Sequence, residues 1–273
     1  MHFTLNDFSK LVCTLILMQL EVVGYADAAG KSNPSGLDGI DQLKVASRHG
    51  DPAAETALGS AYEKGSGVAE NRGKALELYQ LAAKQGYPEA QYRLGMILAE
   101  DPLSHHEAVS WFEKAAAQGH LQACYCVGSC YENGMGVPVD INKAILWYKR
   151  AAIKGELSSQ IRLGNLYQRG RDIPKDSAKA AKWFKMAAVA GNGESQLRVG
   201  TMYATGSGVR KNSIRAYAWL KLGELNYNIN NPSLYDAKLT LEELELRLSS
   251  AEKAKAVELL KTFSPNAVEH QIK

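Results

Sequence analysis

Between residues 53 and 226 apolar side chains recur every three or four positions, in helix-length blocks separated by short glycine-rich or polar turns. One block, Ser158 to Gln168, sets Ile161, Gly164, Leu166 and Tyr167 on one helical face. The blocks themselves repeat. A Leu-Gly or Val-Gly pair ends at Gly59, Gly95, Gly128, Gly164 and Gly200, with spacings of 36, 33, 36 and 36 residues. Gly50, Gly86, Gly119, Gly155 and Gly191 form a second series, and Trp111, Trp147, Trp183 and Trp219, with Leu78 in the first copy, a third. Independent series in one register indicate a tandem array of small units, each unable to bury its apolar face alone.

Each unit reads as two helices. Helix A carries the central glycine, which costs about 1 kcal/mol against alanine in a helix interior. Close approach of helix B explains its presence, so Gly59, Gly95, Gly128, Gly164 and Gly200 are assigned a structural role. Helix B opens at Asn71, Ser104, Asp140, Asp176 or Asn212, whose oxygens can accept N–H groups of the first turn. Ser104 and Glu107 are spaced as a capping box. Helix B then carries an aromatic residue and the pairs Ala82-Ala83, Ala116-Ala117, Ala151-Ala152 and Ala187-Ala188, and ends at a glycine of the second series. The resulting fold class is all-α, a solenoid of about five helix-turn-helix repeats (53–88, 89–121, 122–157, 158–193 and 194–227) with helical caps at both ends. The N-terminal cap occupies 37–52. The C-terminal cap, 228–263, opens at Asn231-Pro232 and restarts at a capping box in Ser249-Ser250-Ala251-Glu252. A disordered tail follows at 264–273.

The turn between helices A and B, Gly65-Ser66-Gly67-Val68, resembles a phosphate-binding loop only in its glycines. It lacks the following lysine and hydroxyl residue, and it recurs at Gly134-Met135-Gly136-Val137 and Gly206-Ser207-Gly208-Val209, with a degraded copy at Gly170-Arg171-Asp172-Ile173. A nucleotide site is rarely copied several times in one chain, whereas a repeat's turn must be. Gly67 is therefore expected to matter through its backbone angles alone.

Composition changes this picture little. The chain has 273 residues, 45% of them hydrophobic, and a formal net charge of +3, which gives no nucleic-acid signature. The start differs from the rest. Lys10, the apolar run Leu11–Leu20 and Ala26-Asp27-Ala28 have the arrangement of a secretory signal peptide, here 1–28, followed by a flexible linker, 29–36. Export to the periplasm or beyond is the expectation. Cys124, Cys126 and Cys130 crowd into one helix, so disulfides do not organise the fold.

The pattern Leu-Gly-x-x-Tyr-x-x-Gly-x-Gly-Val followed by Lys-Ala-x-x-Trp-Tyr-x-x-Ala-Ala-x-x-Gly resembles the Sel1-like repeat, a relative of the tetratricopeptide repeat. The copy VGSCYENGMGVPVDINKAILWYKRAAIKG matches it best, and the resemblance covers about residues 53–226. It implies a right-handed superhelix of helical hairpins, a right-handed solenoid, serving as a protein-interaction scaffold, with helix A on the concave face. The partner-facing positions are then Thr56, Ser60, Glu63, Tyr92, Met96, Tyr125, Ser129, Glu132, Ile161, Asn165, Gln168, Leu197 and Thr201. The competing reading is that Ile161 and Leu197 are buried between helices.

Chemical alternatives are sparse. His105, His106, Glu107, His120 and Cys124 contain no complete tetrahedral ligand set, and Cys126, aligned with Arg93, Arg162 and Arg198, reads as an inert thiol, the alternative being an exposed, redox-reactive one. A secreted subgroup of the family binds or hydrolyses penicillins, which draws attention to Ser250-Ala251-Glu252-Lys253. The other motifs of that serine chemistry are absent, and the subgroup's cysteine pairing across helices is impossible here. The expectation is a non-catalytic adaptor without cofactor or metal that binds a protein or peptide, including a cell-envelope complex. The alternative is a weak cell-wall-related or β-lactam hydrolase.

Overall fold

The computed structural model describes residues 39–227 and 234–263. The signal segment, the linker, the Asn231-Pro232 helix start and the C-terminal tail lie outside them. Among the described residues the fold is all-helical, with thirteen α-helices and one 3₁₀ turn. A first helix, α1 (Gly39–Arg48), precedes five A/B hairpins: α2 (Pro52–Lys64) with α3 (Arg72–Lys84), α4 (Pro88–Leu98) with α5 (His105–Ala117), and α6 (Leu121–Asn133) with α7 (Ile141–Ala152). Then come α8 (Leu157–Arg169) with α9 (Ser177–Val189), α10 (Gly193–Thr205) with α11 (Ser213–Asn226), and two terminal helices, α12 (Tyr235–Arg247) and α13 (Ser250–Phe263). The chain divides into two compact units, one ending at Ala144 and the other beginning at Ile145.

In the first unit each helix from α1 to α5 packs on its successor, and in the second α8 to α11 do the same. The mid-helix glycines allow this. A Cβ added at Gly59 would lie 2.9 Å from the Tyr79 ring, at Gly95 2.6 Å from Phe112, at Gly164 2.6 Å from Phe184 and at Gly200 2.5 Å from Leu220. Real Cβ atoms do not come so close, so helix B occupies the space a methyl group would need. The residue seated there is the one after the tryptophan series. Tyr79, Phe112 and Phe184 are fully buried. Trp111 and Trp147 are half-buried, and the Trp111 indole donates to Glu107.

Both ends of each hairpin are closed by backbone geometry. Gly65, Gly134, Gly170 and Gly206 end their A helices at positive φ. Gly86, Gly119, Gly155 and Gly191 follow their B helices at φ near 90°. The N–H two places past each B-helix cap reaches back to the last turn, as Tyr87 to Ala82, His120 to Ala115, Glu156 to Ala151 and Asn192 to Ala187. Asn71, Asp140, Asp176 and Asn212 cap helix B as expected. Ser104 does not. The second repeat is three residues shorter, and Asp101, leading a 3₁₀ turn, accepts from Leu103 N–H and from the Ser104 hydroxyl. The capping box at Ser249 and Glu252 does form and starts α13.

The second glycine of the turn has a role that its backbone angles do not exhaust. A Cβ on Gly136 would collide with the backbone of His105 and His106 at the start of α5, and one on Gly208 with that of Ser177 and Ala178 at the start of α9. At Gly67 the neighbour is the Ile40 side chain, 2.8 Å away. The turn of one repeat therefore rests on the preceding helix, which corrects the expectation that Gly67 acts through φ alone.

A buried amide column, not apparent from periodicity, ties hairpins together. The side-chain amides of Gln91, Gln160 and Gln196, near the start of helix A, donate to the Ala83, Ala152 and Ala188 carbonyls at the end of the preceding helix B. Cys124 occupies the same column and points its thiol at Ala116 O. The carboxamide oxygens are served by the B-helix cap position: Gln118 donates to Gln91, and Asn226 to Gln196. In the first repeat Gln85 donates likewise to Glu55. At the matching place for Gln160 stands Ala190, and Gln160 Oε1 is buried without a hydrogen-bond partner.

Ala190→Gln should raise stability by about 1 kcal/mol, by giving that oxygen its donor, and an unchanged urea midpoint would refute the assignment. Gly164→Leu, by overpacking, should cost about 1–3 kcal/mol. Gly155→Ala, in open space at φ +93, should cost about 1–2 kcal/mol from the left-handed backbone, and Gly208→Ala clearly more than Gly155→Ala. Equal thermal shifts for those two alanine variants would rule out the contact between the turn and α9.

Candidate interaction face

The thirteen candidate positions divide by environment. In the first unit Thr56 is buried and turns its hydroxyl back to Pro52 O, and Tyr92 is buried with its ring stacked on His120 at 4.7 Å. Ser129 is buried, and Asn133 donates to its carbonyl and hydroxyl. In the second unit Leu197 is fully buried, and a Cβ on Gly223 would lie 2.7 Å from it. These four give their surface to neighbouring helices. Ser60, Glu63, Met96, Tyr125 and Glu132 in the first unit, and Ile161, Asn165, Gln168 and Thr201 in the second, remain half-buried and present an edge to solvent. The Tyr79 hydroxyl, which donates to Glu63 at 2.7 Å, fixes that carboxylate's position.

Beside these positions runs a column of aligned arginines, Arg93, Arg162 and Arg198. Arg93 pairs with Glu89 at 2.7 Å and Arg198 with Glu194 at 2.6 Å, each within one helix turn. Arg198 also lies 5.6 Å from the Phe184 ring and donates to Gln168. Their stems lie along the neighbouring helix, as long cationic side chains commonly do. Cys126, in the same column, is buried at 4% exposure, which argues against the alternative of an exposed thiol. Cys124, Cys126 and Cys130, the cysteines among the described residues, are all buried and form no disulfide.

The other chemical candidates have structural partners. His120 caps α6, its Nδ1 accepting from Ala123 N–H while Nε2 lies 2.9 Å from Glu89, which places the ring proton on Nε2. His105 contacts Ala99 O and His106 contacts Gly136 O. Among the described residues no group of three or more His, Cys, Asp or Glu side chains is placed to hold a metal. Lys253 donates to Glu245 O, and Ser249, not Ser250, caps α13. No helix of the described residues is long and apolar enough to cross a membrane.

Glu89 is the most perturbed carboxylate. Burial by itself would raise its pKa, but hydrogen bonds from His120 and Arg93 and the Arg93 charge outweigh it and hold the group at about 2. Because the value is depressed on folding, the stability it carries is fully present above its ordinary 4.5 and is lost as pH falls toward about 2. Glu89→Gln should therefore lower stability at neutral pH, and the gap from wild type should narrow on acidification through that window. Urea melts at neutral pH and near pH 3 measure it; a gap that stays constant would show that Glu89 contributes no charge-dependent stability.

Comparison with known proteins accords with this geometry. A family model described as Sel1 repeat matches residues 52–87, 88–120, 121–156, 157–192 and 193–223. The rat protein DAP3-binding cell death enhancer 1 is 40% identical over 67 residues, 24% of this chain and 13% of its own. Chitin synthase regulatory factor 3 of Schizosaccharomyces pombe is 36% identical over 108 residues, 37% of this chain and 12% of its own. The chain thus spans about an eighth of the length of these relatives. Among solved structures, a Sel1 repeat protein from Oxalobacter formigenes superposes with a TM-score of 0.64 at 30% identity, over 82% of this chain and 92% of the other.

Proposed function

The chain belongs to the Sel1 repeat family, and on that premise we propose that it is an exported, non-catalytic scaffold that binds a protein or peptide partner along its helix-A face. Repetition is the first support. Each hairpin presents the same helix edge, so a partner meets similar shapes at regular intervals with side chains that differ from copy to copy. The observation that carries the reading is the mixture on that edge. Met96 and Tyr125 in one unit and Ile161 in the other are half-exposed beside Glu63, Glu132, Asn165 and Gln168. Apolar anchors among hydrogen-bonding groups suit peptide or helix recognition. The printed names of the two relatives speak of binding and of regulating another protein, which accords with an adaptor. Export rests on the charged start, apolar run and Ala-x-Ala end of residues 1–28.

The experiment uses the full chain, tagged at its C-terminus and expressed in its native cell. We expect the mature protein to begin near Ala29 outside the cytoplasm and to capture a reproducible partner. Met96→Glu and Ile161→Glu should each weaken that capture about tenfold, as charges placed at an apolar contact do, while the melting temperature changes little. Undiminished capture by both variants would sink the helix-A assignment, and intact Met1 on a cytoplasmic protein would sink export.

A further inference from the structure

The fifth repeat differs from the others in one respect that its fold does not require. Between the end of α9, the turn before α11 and the first turn of α11 lies an open depression of about 660 Å³. Lys185, Tyr203, Gly208, Val209, Arg210, Lys211, Asn212 and Arg215 line it, and no carboxylate is among them. Tyr203 lies at the centre. Lys185 Nζ stands 5.1 Å and the Arg215 guanidinium 5.8 Å from its ring centre. Burial would raise its phenol, but hydrogen bonds from Lys185 and Arg215 outweigh it and draw the group below its ordinary value.

The same place in the third and fourth repeats holds at least one carboxylate. In the third repeat the residue aligned with Lys185 is Glu113, which accepts from the Tyr131 hydroxyl at 3.1 Å. The helix cap there is Asp140, paired with Lys143, and the turn residues aligned with Arg210 and Lys211 are Pro138 and Val139. In the fourth repeat Lys149 and Lys175 stand where Lys185 and Lys211 do, but Asp176 caps the helix and pairs with Lys179 at 2.8 Å. Only the tyrosine with a cation over its ring is common to all three, through Lys143 on Tyr131, Lys179 on Tyr167 and Arg215 on Tyr203. The fifth repeat carries asparagine where both the third and the fourth have the capping aspartate, and Arg210 adds a turn cation that neither has. The hairpin closes equally well in every version, so folding does not explain the accumulated charge. Four cations converging without a counter-charge raise the fold's energy, and an anionic ligand would reverse that.

We propose that this depression receives an acidic segment of a partner protein, with carboxylates seated between Lys185, Arg210, Lys211 and Arg215. The volume exceeds what one phosphate fills and lies in the range of ligand sites. The cations also stand on three separate elements, which suits several carboxylates more than one compact dianion. The inference takes from the scaffold reading only that the ligand is a protein. It uses none of the helix-A edge positions, so its failure and the failure of that edge are separable.

The test measures fluorescence anisotropy of a labelled oligoglutamate peptide titrated with the full chain, with oligoglutamine as the uncharged control. Binding should be seen for glutamate alone and should weaken as salt rises. Lys185→Glu and Asn212→Asp install residues that the third repeat already carries at these places. Each should weaken binding about tenfold or more with little change in melting temperature. Lys84→Glu, an exposed lysine in the first unit, makes the same change in net charge and should leave binding intact. Equal losses in Lys185→Glu and Lys84→Glu would overturn the site. So would unchanged affinity in both pocket variants, or saturation by inorganic phosphate with no binding of the peptide.

Discussion

The distance between two helix backbones at one glycine governs the rest of this structure. At Gly59, Gly95, Gly164 and Gly200 a side chain of helix B takes the volume of the missing methyl group. That contact sets the thickness of the hairpin. With the thickness fixed, the left-handed caps at Gly65, Gly134, Gly170 and Gly206 return the chain at one angle, and those at Gly86, Gly119, Gly155 and Gly191 launch the next repeat. The start of each A helix then falls close to the carbonyls left open at the end of the preceding B helix. There Gln91, Gln160 and Gln196 complete the last turn of a helix that is not their own. The mid-helix glycines forgo helix propensity, and the buried hydrogen bonds and packing that follow depend on their having done so.

The repeat, its hairpins and most of its caps were legible because their signals are local. Asn71, Asp176 and Asn212 each stand within three residues of the N–H they accept. The ring register was not legible. Tyr79 and Leu78, or Phe112 and Trp111, are adjacent and apolar, and one residue is only 100° around a helix, so periodicity could not tell which of them meets the glycine. Ser104 failed as a cap because a shortened repeat brought Asp101 into a 3₁₀ turn, a departure visible only as three missing residues. Cys126 aligns with arginines, and that alignment alone suggested exposure. It is covered because an arginine escapes the same position by length alone.

The candidate face shows a similar limit. Positions two before and two after the helix-A leucine flank a buried ridge from both sides, and whether one is covered depends on the neighbouring helix. Thr56, Tyr92, Ser129 and Leu197 fell on the covered side, while Met96, Ile161 and Thr201 kept an open edge. The amide column escaped sequence reading for another reason. Glutamine in a helix is ordinarily a surface residue, and only the position of the unsatisfied carbonyls shows why three of these are buried. The basic depression is equally non-local, since Lys185 and Arg215 belong to different repeats and meet only across a tyrosine on a third helix.

The glycine contacts also bear on how the chain acquires its structure. Gly59 with Tyr79, Gly95 with Phe112, Gly164 with Phe184 and Gly200 with Leu220 are each about 17 to 20 residues apart in the chain. Closing a loop of that length sacrifices little chain entropy. A fold assembled from such near-neighbour contacts has low contact order, and chains of that kind reach the native state quickly. Any hairpin can serve as the nucleus, and order then spreads to whichever neighbour is next to collapse. A ribosome releasing this chain would meet no need to wait for its far end, because every segment long enough to contain a glycine and its ring already holds the instructions for its own closure.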